Sequence, residues 1–568
     1  MSIMNSRLLI LGLDGGTFDV LLPWMQKGLL PNLRKIYDEG VSGPLRTIVP
    51  PITAPAWTSF YTGKNPGKHG IFEFLVKREN SYQEIAVNST FCKSKTLWDY
   101  LAEENKKVAV LNVPMTYPPQ KVNGVMICDF LSQAEKRDFT YPPQLLTEVE
   151  DRFGPYYLYP RVSDFTVPYS DKNADALIDD CVKMSEYKFR VAHYLMGKDS
   201  YDVVVFHELG TDRMQHWLWN VIDPSHPRHT KELEQKFYGK VLDFYQRVDE
   251  QIGKTLQLAG PDCSVFIMSD HGLGPVNRSI DLNTWLLQEG YITLKKSFAS
   301  RARYLLWKCG VTYQNIYAVC EKLLRLGLKP KTGSPGEFLK QWHKMLNQSP
   351  LLSLNDIDWT KTRAYAKTSV IGQIIINLKG REPQGTVTPG EEYNQLVAEM
   401  VQKLKQLHDP GEGTHIKGLV YTGQEAYRGP YISKAPDIIY LPQTGCYQSG
   451  SLVPFGSNTP FVNFAGQRGA HTMDGIFMAR GREIKRGAKV SGASIIDVAP
   501  TALHLMGCKV PSDMDGKVLE DIFEEAFLRQ HPVEFVQAVK DTEEAQSAMS
   551  PEEEKTVMER LRNLGYID

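Results

Sequence analysis

Seven side chains able to do metal or phosphoryl chemistry fall in turn-like settings along this 568-residue chain. They are Asp14 in GLDGG, Thr53 in PPITAPAW, Asp212 and His216 in TDRMQH, Asp270 and His271 in MSDHG, and His471 in GQRGAHTMDG. Carboxylates and imidazoles without a thiolate suit Zn²⁺ or Mn²⁺ held through oxygen and nitrogen. Six such ligands and one hydroxyl are enough for two divalent ions bridged by a nucleophile and a phosphoryl oxygen. Two ions roughly 3.5–4 Å apart stabilise the attacking and leaving oxygens of an in-line displacement. A metal also lowers a hydroxyl's pKa, so Thr53 needs no adjacent base. The residues after Thr53 read as helical to about Gly63, and unpaired N–H groups at a helix start favour an anion. Simpler readings exist. Thr53 can be a helix N-cap, Asp14 a turn former, the Asp212/His216 pair a solvated helix face and His471 a surface residue. Asp270-His271 resists this treatment, because two groups that are hard to bury follow an apolar run.

The elements that must position these residues alternate. Short apolar runs (Leu8–Leu13, Val108–Val113, Val203–Phe206, Val265–Met268, Ile374–Asn377, Ile438–Leu441) are separated by helix-like stretches such as Leu30–Gly40. This pattern predicts an α/β fold, a mostly parallel central sheet with helices on both faces. Function in such sheets gathers at the carboxyl ends of strands. Asp14, His207-Glu208 and Asp270-His271 all follow apolar runs there. The expected divisions are a core domain over residues 1–297 and a helical insertion with a small α+β cap over 298–432. The chain then returns to the core over 433–521, bringing the last metal ligand, and ends in a charged helical tail, 522–568, packed on the outside. The insertion carries the loop KPKTGSPGE, and the cap a long amphipathic helix from Glu391 to His408.

Composition narrows the partners. Hydrophobic residues make up 42% and charged residues 23%, with 65 Lys+Arg against 66 Asp+Glu. That balance argues for a small substrate and against a nucleic-acid polymer or membrane surface. No stretch approaches the roughly 18 apolar residues of a membrane span. Eight scattered cysteines with no CxxC pair fit a reducing cytoplasm.

The motifs together resemble the alkaline phosphatase superfamily. Asp14, the TxP turn with GxxPxxHGI downstream (Thr53 to Ile71), DxxxH, SDHG and the late GAH occur in its order. The chain is most similar to the type I phosphodiesterase/nucleotide pyrophosphatase branch, and within it to predicted phosphohydrolases or phosphomutases. These share INLKGREPQG, the segment Asp497–Gly516 and a closing ERLRNLGYI. The resemblance implies that Asp14, Thr53, Asp270 and His271 hold one metal, with Thr53 the nucleophile, and that Asp212, His216 and His471 hold the other. Zn²⁺ is the usual metal of the branch and Mn²⁺ serves some relatives. Two departures stand out. The asparagine that relatives carry about twenty residues after the nucleophile falls near Glu73 or Phe74. Lys68, Lys379 or Arg381 then become candidates to contact the phosphate. Trp57 stands where a sulfatase needs arginine, which argues against that activity. The aromatic loop Gly154–Tyr169 could stack a base or sugar, or plug the sheet edge. The expected function is a two-metal phosphodiesterase on a nucleotide-like or other small diester. The alternatives are a phosphomutase or phosphotransferase using the same site, and a non-catalytic metal-binding protein.

Overall fold

The computed structural model describes residues 7–160, 171–325, 351–538 and 549–566, apart from 368, 444, 451, 452, 464, 465 and 565. Ten strands form the central sheet. Those used below are β1 (Arg7–Leu13), β2 (Val41–Arg46), β3 (Val108–Leu111), β4 (Gly124–Ile127), β5 (Thr140–Tyr141), β6 (Val203–Glu208), β7 (Cys263–Met268), β8 (Asp474–Arg480) and β9 (Ala488–Lys489). Their order is β9-β2-β8-β7-β1-β6-β3-β4-β5, with Ala493–Ser494 also on β2. The five strands from β7 to β4 run parallel, while β8 and β5 close the parallel block antiparallel. β1 lies at the centre of the whole sheet. Every residue from Leu8 to Leu13 is buried, which is why the run is continuously apolar rather than alternating.

Register does the positioning. Gly12 on β1 pairs with His207 on β6 and with Met268 on β7. The carboxyl ends of three strands are therefore level, and Asp14, His207-Glu208 and Asp270-His271 leave the sheet side by side. Two helix groups flank it. Helices α2 (Asp171–Lys198), α3 (Gly210–Ile222) and α4 (Lys231–Ala259) pack together, and α1 (Thr53–Thr62) packs with Leu97–Glu103 and Val498–Leu505. Helix α1 meets β1 closely. A Cβ on Gly12 would come 2.1 Å from Trp57 Cη2, so the indole occupies the space a larger residue at position 12 would need. The mostly parallel sheet with helices on both faces is the fold the sequence predicts.

Two apolar runs behave differently. Ile438–Leu441, expected to rejoin the core, instead joins Ile374–Asn377 of the cap in a separate four-stranded antiparallel sheet. Its order is Ala364–Ala366, Gly372–Ile376, Ile438–Pro442, Gly418–Thr422. Helix α7 (Glu391–Lys405) buries Leu396, Met400 and Leu404 in the hydrophobic core beneath that sheet. The chain re-enters the central sheet only at β8. Before that sheet come helices α5 (Phe298–Lys308) and α6 (Tyr313–Arg325), the helical insertion; its loop KPKTGSPGE lies outside the described residues. Of the aromatic loop, residues 161–169 lie outside them too. Tyr156 and Leu158 are buried in the main core, so the described part acts as a plug. The tail also departs from expectation. Helix α8 (Pro551–Asn563) ends with Leu564 and Tyr566 turned inward, 1% and 2% exposed. No helix among the described residues is long and apolar enough to cross a membrane.

Candidate active site

Thr53 is the first residue of α1. Ile52 takes the cap position in extended backbone without any side-chain capping bond, so the Thr53 hydroxyl is not engaged in capping. Thr53 is fully buried, and its Oγ1 lies 3.2 Å from His271 Nε2. His271 Nε2 is in turn 3.2 Å from Asp270 Oδ2 and 3.7 Å from Asp14 Oδ1. Asp14 sits in the turn that ends β1, where Gly15 adopts φ +64° and its N–H donates to Asp270 Oδ1 at 3.2 Å. A side chain at Gly15 would be strained by that φ and would also strike Leu273.

A second cluster adjoins the first. Asp212 and His216 project from one face of α3, with His216 Nε2 3.1 Å from Asp212 Oδ1. Burial at 0% and 4% exposure rules out a solvated helix face. His471 arrives on a two-stranded ribbon, Gly469–Thr472 against Gly272–Pro275, rather than on a loop. Its Nε2 lies 3.6 Å from Asp212 Oδ1 and 2.9 Å from His216 Nε2. Donor atoms of Asp212, His216 and His471 lie within 4.8 Å of one another, as do those of Asp14, Asp212 and His271. Asp212 thus stands between the two clusters.

The imidazoles are oriented alike. His216 Nδ1 donates to Gly469 O at 2.7 Å, His471 Nδ1 to Pro51 O at 2.8 Å and His271 Nδ1 to Gly272 O at 3.2 Å. A carbonyl can only accept, so each ring is held as the tautomer whose Nε2 lone pair faces the carboxylates. This is the arrangement by which backbone groups aim metal-ligating histidines. Asp14 Oδ1, Asp212 Oδ1 and Asp270 Oδ2 are buried without a hydrogen-bond partner. Burial, with Asp270 and Asp212 close by, pushes the Asp14 carboxyl well above the usual range. Burial and Asp212 raise Asp270 to about 7. Burial would push Asp212 up as well, but the Arg213 guanidinium and His216 hold it well below. Crowded buried carboxylates and converging imidazole lone pairs lack positive charge, which divalent cations supply. The donor set fits such ions.

Three residues outside the expected ligand set contribute. His207 Nε2 lies 2.8 Å from Asp14 Oδ2, its Nδ1 2.9 Å from Asn112 O, and Trp57 packs against its ring edge to face at 4.9 Å. Trp57, where arginine was looked for, therefore steadies the residue that aims Asp14. Arg213, fully buried, pairs with Asp212 and donates to Tyr566 Oη at 2.8 Å. Arg213 follows Asp212 directly, a visible hint; for Tyr566 the only sequence signal is its place in the closing motif. The suggested phosphate contacts are engaged elsewhere. Lys68 Nζ is bound by Asp513 O and Asp515 Oδ1, both at 2.7 Å. Exposed Lys379 contacts Thr388, and Arg381 forms a two-pronged pair with Asp437 at 2.9 and 2.6 Å. Glu73 is bonded to Ser369 and Gln373 at 2.7 Å each, and Phe74 packs against Tyr566.

A cavity of about 360 Å³ opens on the site, bounded by Pro51, His216 and His471, by Ile371 and Tyr447 of the accessory region, and by Tyr566. The sequence profile of the type I phosphodiesterase/nucleotide pyrophosphatase family matches residues 8–452. The chain belongs to this family. Membership supports phosphoester hydrolysis and agrees with the resemblance carried by the motifs. No curated protein matches by sequence. Among solved structures, human ectonucleotide pyrophosphatase/phosphodiesterase 5 aligns at 13% identity and TM-score 0.47, covering 92% of this chain and 100% of that one. An inactive murine counterpart in complex with AMP aligns at 12% and 0.47, covering 91% and 100%. Phosphonoacetate hydrolase from Sinorhizobium meliloti 1021, in complex with phosphonoacetate, aligns at 13% and 0.48, covering 87% and 94%.

Proposed function

We propose that the protein is a metal-dependent phosphodiesterase acting on a nucleotide-like or other small diester through a phospho-Thr53 intermediate. The observation that carries this reading is the uncapped Thr53 hydroxyl 3.2 Å from His271 Nε2, at the start of a buried helix and beside inward-facing ligands. Asp14, Thr53, Asp270 and His271 would hold one ion and Asp212, His216 and His471 the other, with Asp212 near both. Zn²⁺, or Mn²⁺ as the alternative, would lower the Thr53 pKa when bound and offset charge on the phosphoryl group. His207 keeps Asp14 facing inward. The first amides of α1 lack helical acceptors and would be available to phosphoryl oxygens.

Thr53 Oγ would form a P–O bond as one ester oxygen leaves with its electron pair. Water would then displace Thr53, giving two inversions and net retention at phosphorus. The cavity's size suits a small ester. That none of the described cysteines is in a disulfide supports a cytoplasmic setting. A screen of phosphomono-, phosphodi- and phosphonate esters with added Zn²⁺ or Mn²⁺ tests the reading, with bis-p-nitrophenyl phosphate the expected substrate. No turnover of any ester by metal-loaded protein contradicts it. Product analysis with an acceptor alcohol separates hydrolysis from transfer to another hydroxyl.

A further inference from the structure

The carboxy-terminal segment is built into the wall of the site. Helix α8 is pinned along its length: Glu553 pairs with Lys136, Glu554 with Arg78 at 3.2 Å, and Arg560 Nη1 donates to Phe130 O at 3.0 Å and to Ser132 O. The Arg560 guanidinium also lies 4.3 Å from the Tyr159 ring centre. Past the helix, Tyr566 N–H bonds back to Leu561 O at 2.9 Å, which turns the side chain inward. The Tyr566 ring is then held on several sides. Phe74 lies at 4.5 Å, Phe130 is stacked at 5.8 Å, and Arg213 sits 4.8 Å from the ring centre. Arg213 secures the segment twice more, donating to Leu564 O and to the Tyr566 oxygen.

The consequence lies in the hydrogen-bond count of one phenol. Its oxygen already accepts from Arg213 Nη2 at 2.8 Å, so its remaining hydrogen-bonding asset is its own O–H. Tyr566 lines the same cavity as His216 and His471, and its Arg213 partner is paired with Asp212, which stands between the two ligand clusters. Lys68, Lys379 and Arg381 are tied to other partners, whereas this donor is held in place, buried and on the cavity wall. We propose that Tyr566 is a substrate contact, its phenol O–H donating to a non-bridging oxygen of the phosphoryl group attacked by Thr53. The carboxy-terminal helix is in this account the carrier of an active-site residue.

This inference rests on the phosphoester reading of the site, and one variant tests it with two readouts. Tyr566→Phe keeps the ring and its packing and removes only the hydroxyl. In metal-loaded full-length protein, kcat/KM for bis-p-nitrophenyl phosphate should fall about tenfold or more, with metal content unchanged. Calorimetric titration with inorganic phosphate should show about tenfold weaker binding by the variant. Equal phosphate affinity in the two proteins overturns the proposal whatever the rates show. If the wild type hydrolyses no ester at all, the hydrolase reading fails, and the phosphate titration still decides whether Tyr566 contacts the anion.

Discussion

The two ends of helix α1 each meet a buried histidine, and the two histidines are built for opposite purposes. Beyond the carboxyl end, His69 is closed on itself. Its Nδ1 accepts the Ile71 N–H at 3.2 Å and its Nε2 faces Ser59 Oγ at 2.9 Å. Both ring nitrogens thus find neutral partners, and the ring locks the turn after the helix. At the amino end, His271 spends Nδ1 on a carbonyl and points Nε2 at Thr53 and two carboxylates. Burial drives both pKa values down, His69 to about 3 and His271 well below the usual value. Burial therefore does not distinguish a structural histidine from a ligand. What faces the second nitrogen does.

That contrast can be measured. The largest effect is expected from Thr53→Ala. It should lower turnover by a factor on the order of a thousand or more at an unchanged melting temperature, since it removes the nucleophile and little packing. Wild-type rates in a folded Thr53→Ala protein contradict the account. Chelation comes next. It should abolish activity and lower the melting temperature, because ions that bind only the folded state contribute about 2.7 kcal/mol at a hundredfold excess over Kd. Tested by metal analysis, His471→Ala should lose bound metal while His69→Gln retains it; equal retention erases the distinction between the two kinds of histidine.

A smaller loss is expected at His207. Exchanging it for Gln should cost about 10–100-fold in metal affinity or activity, the usual range for a group that orients a ligand. A titration of metal binding that shows no change places His207 in a purely packing role. The smallest effect is a pH dependence of stability at His69. The folded ring stays neutral down to about 3, while the unfolded chain takes up a proton below about 6.5. The unfolded state binds more protons in that window, so stability falls as pH drops, by about 1.4 kcal/mol per unit at most, and is unaffected above it. Denaturant titrations of wild type and His69→Gln between pH 6.5 and 4 should diverge accordingly.

The same contrast shows what could be read from the chain alone. The runs at Leu8–Leu13, Val203–Phe206 and Val265–Met268 are legible as parallel strands because burial on both faces leaves a continuous apolar signature. Ile374–Asn377 and Ile438–Leu441 carry that signature too, yet they pair with each other, since a run records burial and not the identity of its neighbour. The positions of Asp14, Asp270 and His271 follow from being the first carboxylate and imidazole residues after such strands. Lys68 and Arg381 misled because a cation in a loop does not announce the Asp515 or Asp437 that awaits it. The contact between Arg213 and Tyr566 spans 353 residues and depends on a terminal helix docking across the molecule. No local pattern encodes that meeting.

The most direct test of the central claim is the stereochemical course at phosphorus, measured on a phosphodiester made chiral with oxygen isotopes or sulfur. Attack by Thr53 followed by water predicts net retention. Net inversion means that water attacks the ester in a single step, and the phospho-threonine account is then wrong.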